Sequence, residues 1–501
     1  MHFVVKLFPE ITIKSAPVRK RMTRQLRDNL RRMFRALPAS KYVGSEYEGP
    51  EHEGIQKEIS VSRDWEKIDI TGPEGDELAA QVADILGRTP GIANFSRVQH
   101  FPLGDFDDIL EKTLSVWRDR LTDKTFVLRV KRSGKHDFSS HDVERQVGGG
   151  LLHHSQAAGV KLKNPDVTVR LEIRQENLYV IEETTQGLGG FPLGTQDSVI
   201  SLISGGFDST VSSYLTMKRG LRTHFLFFNL GGRAHEVGVK EVAFYLWNKF
   251  SGSHKVRFIT VPFDEVIGEI LSNVHNSQMG VVLKRMMLRA GTQIAEEMEV
   301  HALVTGESVA QVSSQTLVNL SVIDSVTNTL VLRPLVTFDK NDIIDIARKI
   351  GTEEFAANMP EYCGVISKKP TTRAKEERVA GEEENFDFAV LDAAIANKRV
   401  QTIDEVMDDD EPLADVEIFA APQVDAIILD IRHPDEVDVR PLRLSTSQVE
   451  EIPFFALQNR FKELDLGTRY LLYCDKGVMS RLHAELLVDQ GFENVAVYRP
   501  G

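Results

Sequence analysis

The stretch S-G-G-F-D-S runs from Ser204 to Ser209, after an apolar run, V-I-S-L-I, and before a helix-compatible segment, V-S-S-Y-L-T-M-K. Glycine allows backbone amides to approach an anion closely, and the amides at the start of a helix attract the anion further. The stretch therefore predicts an anion-binding loop between a strand and a helix. It is not the P-loop of kinases and GTPases, because G-x-x-x-x-G-K-[ST] is absent.

Apolar runs alternate with helical segments from Ser198 onward. The best strand candidates are V-I-S-L-I, T-H-F-L-F-F-N-L, V-R-F-I-T-V and H-A-L-V-T-G. This alternation is typical of a parallel sheet with crossover helices.

The loop closely resembles the PP-loop of the ATP pyrophosphatases, which split ATP to AMP and pyrophosphate while adenylating a carbonyl oxygen. The resemblance implies ATP as substrate and Mg²⁺ held with its phosphates near Asp208, since an acid in a phosphate loop needs a cation. No separate metal site of the protein is expected. The other candidate site residues are Leu202 and Ile203 beneath the nucleotide, Ser204, Gly205, Gly206 and Ser209 in the loop, Phe227 and Phe228 beside adenine, and Lys284, Gly306, Gln315 and Lys340 downstream. Taken alone, the two lysines are equally compatible with ordinary surface residues.

The chain of 501 residues carries two cysteines, each in a loop-like segment. Cys474 closes a strand-like run and opens Y-C-D-K-G-V-M-S-R, whereas Cys363 lies in P-E-Y-C-G-V-I-S-K-K-P, which lacks apolar periodicity. Two such loops beside a nucleotide motif suggest sulfur chemistry, and the alternative is two unrelated buried thiols. The Cys474 segment resembles the rhodanese loop, in which backbone amides and a helix start stabilise a thiolate that carries a persulfide. L-D-I-R, with Asp430 and Arg432, matches the acidic and basic pair of that family's earlier strand.

Basic residues concentrate near the N-terminus, although the net charge of the chain is -14. A helix start at Ser15-Ala16-Pro17 precedes a basic helical face opposite an apolar one. The candidate RNA-binding residues are Lys20, Arg24, Arg27 and Arg31 on this face, and Arg129, Lys131, Arg132 and Lys135 after a strand with period-two alternation. Either cluster alone is compatible with a solvated face. Together they favour a phosphate backbone as partner.

A chain of 501 residues is long enough for several domains, each with its own core. Its hydrophobic content of 42% and charged content of 27% are those of a globular protein. The start, M-H-F-V-V-K-L-F-P-E, has a strand pattern and not that of a signal peptide, and we expect no membrane span. We therefore expect a cytoplasmic protein, in which a disulfide would be transient and catalytic.

The segments together resemble the tRNA 4-thiouridine synthetase family, in its long form with a C-terminal rhodanese domain. Further matches are K-L-F-P-E-I-T-I-K-S, M-P-E-Y-C-G-V-I-S-K, and G-K-H-D-F-S-S and N-P-D-V-T-V in what resembles a THUMP RNA-binding domain. The implied fold is multidomain, α/β and α+β. It comprises an N-terminal ferredoxin-like domain (1–79), a THUMP domain (80–184), a PP-loop domain with a parallel doubly wound sheet (190–400), an acidic linker (401–422) and a rhodanese-like α/β domain (423–501). Val43 to Glu58 looks like an insertion.

This resemblance implies that ATP adenylates O4 of a uridine, position eight of tRNA, and that a cysteine desulfurase delivers sulfur as a persulfide on Cys474. The persulfide attacks directly or is released as hydrosulfide when Cys363 attacks. Either way a disulfide of Cys363 with Cys474 forms, which an external thiol reductant must reduce. A sulfur-carrier protein of thiamine synthesis is an implied second acceptor, and a homodimer is left open.

Two other functions are weighed against this one. A PP-loop ligase that uses ammonia would leave the basic N-terminus and Cys474 without a role. An RNA-binding or sulfur-carrying scaffold would not need an intact loop with Asp208 and Lys340.

Overall fold

The computed structural model describes residues 1–35, 37, 59–63, 67–230, 232–359, 369–406, 416–423, 426–432, 434–444, 447–475 and 478–500. The chain divides into two compact units, Met1–Thr195 and Gln196–Gly501. The predicted insertion at 43–58, Cys363 and residues 407–415 of the predicted acidic linker lie outside the described residues.

The first unit is built on one mixed sheet with helices on one face. Its strands are β1 (His2–Leu7), β2 (Ser60–Arg63), β3 (Lys67–Thr71), β4 (Ile92–Pro102), β5 (Thr125–Ser133), β6 (Gly159–Val160), β7 (Val167–Arg174) and β8 (Asn177–Gly189), and its helices are α1 (Pro9–Thr12), α2 (Ala16–Arg35), α3 (Asp76–Arg88), α4 (Phe106–Trp117) and α5 (Ser140–His154). The strands pair in the order β2-β3-β1-β4-β8-β7-β5-β6. The long strand β4 joins the part of the sheet formed by β1, β2 and β3 to the part formed by β5 to β8, because it pairs with both β1 and β8.

Helix α2 begins at Ala16, as the sequence predicts, and has the two predicted faces. Met22, Leu26 and Leu30 are buried in a core with Phe3 and Val5 of β1. A second core lies under α4 and α5. Burial of these apolar stripes holds the helices on the sheet, since most helical stability in proteins comes from packing of an amphipathic face.

The second unit contains a mostly parallel sheet and a second sheet that is parallel throughout. The strands of the first are β9 (Ser198–Leu202), β10 (Arg222–Asn229), β11 (Arg257–Pro262), β12 (Ala302–Val304), β13 (Leu330–Leu332) and β14 (Arg399–Thr402), and its helices are α6 (Phe207–Lys218), α7 (Gly232–Leu246), α8 (Asp264–Asn273), α9 (Met279–Glu297), α10 (Leu317–Asp324), α11 (Lys340–Ile350), α12 (Glu353–Asn358), α13 (Glu376–Glu383) and α14 (Phe388–Ala396). The order is β13-β12-β9-β10-β11-β14, with β14 antiparallel. All four predicted strands are confirmed. The chain leaves β9 towards β10 and later returns to β12 on the other side of β9, so a topological switch point lies between β9 and β12.

The second sheet lies at the carboxyl-terminal end of the chain. Its strands are β15 (Ile418–Phe419), β16 (Ala426–Asp430), β17 (Val449–Glu451), β18 (Arg469–Tyr473) and β19 (Val495–Tyr498), and its helices are α15 (Pro434–Val439), α16 (Phe454–Arg460) and α17 (Val478–Asp489). The order is β15-β19-β18-β16-β17, with parallel pairings throughout. Cys474 therefore follows the central strand. Within the described part of the chain, no helix is both long and apolar enough to cross a membrane.

Candidate active site

The loop S-G-G-F-D-S turns tightly between β9 and α6. Gly205 has φ +80°, a left-handed conformation that favours glycine, and a Cβ there would lie 2.5 Å from Cε of Met359. The Oγ of Ser209 accepts a hydrogen bond from the Ser204 amide at 3.1 Å and lies 3.2 Å from the Gly206 carbonyl oxygen, to which it donates. Gly206 caps α6 without a side chain, so the first amides of the helix face a surface that an anion can approach.

Gly306 packs directly on this loop from the end of β12. A Cβ at Gly306 would lie 2.5 Å from the carbonyl carbon of Asp208 and 2.6 Å from the amide nitrogen of Ser209. The structure thus places Gly306 against the loop at the switch point. The loops after β9 and β12 therefore form one surface.

Asp208 and Lys340, which are 132 residues apart in the sequence, form an ion pair at 2.8 Å. Lys340 is the first residue of α11, and its ammonium group also lies 5.4 Å from the centroid of the Phe207 ring. Both charged side chains are partly exposed, at 45% for Lys340 and 27% for Asp208. Exposed ion pairs contribute little to stability, so this pair is free to exchange partners with a charged ligand.

Lys284 lies in a charged cluster that the sequence does not reveal. Its Nζ is 2.7 Å from Oε1 of Glu307, and Arg333 is 2.7 Å from the other carboxylate oxygen. Burial opposes ionisation of Glu307, but Lys284 and Arg333 outweigh burial and lower the pKa of its carboxyl group. Glu307 follows Gly306, so the cluster supports the loop that contacts Asp208. Gln315 is buried in a short turn nearby in sequence, and its carbonyl oxygen accepts from Ala310.

The predicted adenine-facing residues are consecutive in β10. Leu226 pairs with Leu202 and accepts from the Ile203 amide at 2.9 Å, which is the last bond of the β9 ladder. Because alternate residues of a strand direct their backbone groups to the same side, the amide and carbonyl of Phe228 face the side where β9 has ended. By the same alternation, the backbone groups of Phe227 face β11, although both residues are in register with that strand. Of the two residues, Phe228 is therefore the one whose backbone groups face the side that β9 leaves open.

His235 of α7 is a further residue at the loop that sequence reasoning missed. Its Nε2 lies 3.4 Å from the Ser204 carbonyl oxygen, and its ring lies edge-on to Phe227 with centroids 4.9 Å apart. Burial lowers the pKa of His235, and the hydrogen bond to Ser204 opposes this only in part. A neutral imidazole therefore contacts the loop. A lone histidine at the start of a helix gave no sequence signal for this role.

Cys474 is buried at the end of β18. Its Sγ lies 3.3 Å from the amide nitrogen of Ser480, in the first turn of α17, and 3.4 Å from Oγ of Ser480. The predicted helix start after the cysteine is therefore present and contributes a backbone donor. Lys476 and Gly477 lie outside the described residues.

Asp430 and Arg432 form a buried ion pair next to this loop, with nitrogen–oxygen distances of 2.8 and 2.5 Å. Burial opposes the charge of Arg432, but Asp430 outweighs it and raises the pKa of the guanidinium group. Arg432 also contacts Asp475 at 3.1 Å. Burial and Asp475 raise the pKa of Tyr473 to about 12, so this tyrosine stays neutral.

The two predicted RNA-binding clusters lie on different faces of the first unit. Lys20, Arg24 and Arg31 are exposed on α2, which packs on the helix-covered face of the sheet. Arg27 is half-buried and bonds Asp28 at 2.7 and 2.9 Å.

The second cluster is divided by the strand alternation of β5. Arg129 and Lys131 project from the face of the sheet opposite the helices, which we call the open face. Arg132 is in register with the buried Ile173 and forms a hydrogen bond with His136 at 2.9 Å. Lys135 is exposed in the following turn.

The open face carries cations that the sequence analysis did not select. Arg129 pairs directly with Arg170 of β7, and both are exposed. Glu172, two residues further, lies within 3.4 Å of Lys67 and 2.5 Å of Arg174. Lys6 is 3.3 Å from the same carboxylate. Burial opposes ionisation of Glu172, but these cations, Arg174 first, lower its pKa to about 2. Only the sheet order brings these residues together.

Three family models match successive parts of the chain: a THUMP domain (104–181), the Thiamine biosynthesis protein (ThiI) family (194–388) and a rhodanese-like domain (416–501). The tRNA sulfurtransferase of Saccharophagus degradans is 55% identical over 100% of both chains. That of Azotobacter vinelandii is 52% identical, again over 100% of both chains. The chain belongs to the tRNA sulfurtransferase family. The predicted family and the THUMP, PP-loop and rhodanese folds are thus confirmed, while the domain boundaries stay predictions.

Solved structures agree with this membership. A 4-thiouridine synthetase in complex with RNA and ATP superimposes with a TM-score of 0.67 at 26% identity, over 80% of this chain and 99% of that one. A protein of Pyrococcus horikoshii gives a TM-score of 0.51 at 17% identity, over 70% of this chain and 100% of that one, which indicates a shared fold.

Proposed function

We propose that this protein is a tRNA uracil 4-sulfurtransferase. It adenylates O4 of a uridine at position eight of tRNA with ATP and replaces the activated oxygen by sulfur carried on Cys474. The observation that supports this most directly is the packing of Gly306 on Asp208 and Ser209, because it joins two loops into one anion-binding surface at the switch point of a parallel sheet.

The nucleotide loop fits ATP. The amides at the start of α6 suit phosphate oxygens, and the backbone of Phe228 suits the adenine edge. Asp208 fits a Mg²⁺ ion held with the phosphates, since its partly exposed carboxylate offers the hard oxygen ligand that this ion prefers. Lys340 then meets the phosphate charge that replaces its ion pair with Asp208. Adenylation makes the uridine oxygen part of AMP, which is a good leaving group.

The sulfur step uses the two cysteines. A cysteine desulfurase transfers a sulfur atom to Cys474 as a persulfide, and the Ser480 amide stabilises the charge on Sγ. The terminal sulfur forms a bond to C4 of the uridine while the bond from C4 to oxygen breaks and AMP leaves. The Cys363 thiolate then attacks Sγ of Cys474, the sulfur remains on the uridine, and a Cys363–Cys474 disulfide results. An external dithiol reduces it and becomes oxidised.

The tRNA binds to the first unit through phosphate contacts. The exposed stripe of α2 and the open sheet face around Arg129, Lys131 and Arg170 supply cations for a backbone. Such contacts position the nucleic acid and carry no base readout. The reaction belongs to the cytoplasm, where tRNA is available. The family description as a thiamine biosynthesis protein favours a second transfer, to the sulfur carrier of thiazole synthesis.

The test is mass spectrometry of nucleosides from tRNA incubated with the enzyme, ATP, Mg²⁺, a cysteine desulfurase and cysteine. We expect 4-thiouridine and release of AMP and pyrophosphate. Asp208→Ala should abolish both, by a factor of about 100 or more, as expected when a residue that stabilises developing charge is lost. It should leave tRNA binding intact. Thiolation by this variant at near wild-type rate would refute the nucleotide assignment, and an amidated product would favour the ammonia-using ligase.

A further inference from the structure

A small buried cluster joins the rhodanese-like domain to the PP-loop domain. Glu241 of α7 and Phe355 of α12 come from the PP-loop domain, and Phe454 of α16 and His483 of α17 come from the rhodanese-like domain. Their relative exposures are 5%, 3%, 7% and 3%, so all four are more than nine-tenths buried. We call these four residues the docking cluster.

The members of the docking cluster contact one another across the two domains. The Phe454 ring lies against Phe355, with centroids 5.0 Å apart, and against His483, at 6.0 Å. The Nε2 atom of His483 contacts a carboxylate oxygen of Glu241. Tyr245, one turn after Glu241 on α7, packs on Phe355 at 5.1 Å. The contacts thus run in a chain from Tyr245 through Phe355, Phe454 and His483 to Glu241.

The buried carboxylate of Glu241 has its contact partner in the rhodanese-like domain. Burying a carboxylate costs several kcal/mol unless a partner compensates. Within the described residues, the contact of the Glu241 carboxylate is with Nε2 of His483, which comes from the rhodanese-like domain. Relative motion of two domains is expected unless their interface is large and hydrophobic, and this cluster includes a carboxylate and an imidazole.

Both sides of the docking cluster lead into loops of the proposed reaction. His483 follows Ser480 by about one helical turn, and the Ser480 amide lies on Sγ of Cys474. On the other side, α12 ends one residue before Met359, whose side chain lies over Gly205 of the nucleotide loop. Helix α7 also carries His235, which contacts the same loop. Docking therefore couples α17, whose Ser480 contacts Cys474, to elements that touch the nucleotide loop.

We propose that the docking cluster is the surface through which the rhodanese-like domain seats on the PP-loop domain to deliver sulfur. Glu241 and His483 are its positioning residues and take no part in bond making. The inference rests on the proposed function, since it assigns the route of sulfur within that reaction.

The test is a single-turnover transfer of labelled sulfur, preloaded on Cys474, to tRNA in the presence of ATP. His483→Ala and Glu241→Ala should each slow the transfer about tenfold, and the double variant should be no slower than the worse single, as for two members of one contact. His483→Gln keeps a donor towards Glu241 and should retain more activity than His483→Ala. Asp489→Ala, on the exposed end of α17, is the matched control and should transfer at the wild-type rate.

Two further measurements distinguish a loss of domain docking from a general loss of folding or activity. Desulfurase loading of Cys474 and ATP-dependent pyrophosphate release should stay near wild type in all variants. Hydrogen exchange should accelerate in α7 and α12 of His483→Ala but not of Asp489→Ala. Wild-type transfer rates in both alanine variants, independent losses in the double variant, or loss of loading would each overturn the proposal. If the wild-type protein itself forms no 4-thiouridine, the proposed function fails instead.

Discussion

At the residue scale, single backbone and charge positions determine whether the nucleotide loop can work. Gly306 lets one loop lie on the backbone of the other, and Asp208 then has its carboxylate free to pair with Lys340. The packing of Gly306 and the ion pair of Asp208 each depend on contacts of less than 3 Å. Substitutions that add one carbon or remove one charge are therefore informative.

Gly306→Ala should disable adenylation without unfolding the chain. The added Cβ would meet the backbone of Asp208 at 2.5 Å, and backbone cannot yield as a flexible side chain can. We expect pyrophosphate release to fall at least about tenfold, which corresponds to about 1.4 kcal/mol in the barrier. Gly381→Ala is the control, because a Cβ there meets nothing within 4 Å. Unchanged pyrophosphate release in Gly306→Ala would contradict the shared surface.

Glu172→Gln should destabilise the open sheet face in a pH-dependent manner. The folded pKa of about 2 lies below the usual glutamate value of 4.5, so the stabilisation by Glu172 is complete above pH 4.5 and is lost as the pH falls towards 2. Hydrogen exchange of β7 and β8 should be faster in the variant than in wild type at pH 7. This difference should shrink below pH 4.5. Glu176→Gln, in the exposed turn between these strands, should show no such difference at any pH.

At the element scale, strand register decides which charges face a ligand. Arg129 of β5 and Arg170 of β7 are direct neighbours, and like charges in such a pair destabilise a sheet. A bound phosphate would relieve this repulsion. The α2 stripe, in contrast, follows from helical periodicity alone and lies on the other side of the sheet.

Arg170→Ala should weaken tRNA binding and reduce its salt dependence. Each lost phosphate contact lowers the slope of log affinity against log salt by about 1. Binding measured over a series of salt concentrations gives this slope, and the variant should unfold no more easily than wild type because a repulsion is removed. Arg378→Ala, exposed on α13 of the second unit, is the control. An unaltered slope in Arg170→Ala would exclude the open face from the RNA interface.

At the scale of the whole molecule, the proposed reaction requires cysteines from two domains to meet. Cys474 follows the central strand of the rhodanese-like sheet, and Cys363 belongs to the PP-loop part of the chain, four residues after Met359 in the sequence. The contact of Met359 with Gly205 links that part to the nucleotide loop.

The two cysteines should differ in whether they accept sulfane sulfur from a desulfurase. Cys474→Ser should accept no sulfane sulfur from a desulfurase, because it lacks the thiol held by Ser480. Cys363→Ser should still load Cys474 but stall under turnover, since no Cys363 thiolate cleaves the bond between Sγ and the transferred sulfur. Peptide mapping of wild type without reductant after one turnover should show Cys363 linked to Cys474. A persulfide trapped on Cys363 in the Cys474→Ser protein would reverse the roles.

The sequence by itself determined the features that depend on local pattern. The strand before Ser204, the loop itself, the helix from Ala16 and the strand before Cys474 all agree with the structure. Apolar periodicity, glycine and helix capping indicate these elements, and each of these patterns involves residues that are close together in the sequence. The family resemblance added the domain types.

Only the tertiary structure decided which distant side chains meet. The pairs Lys284 with Glu307, Arg129 with Arg170, and Glu241 with His483 join residues from separate elements. Their contacts follow from strand order, register and domain docking, and a shift of register by one residue would reverse the face of every side chain. Local periodicity contains no information on these arrangements, so the charged clusters and the docking surface emerge only when the chain is folded.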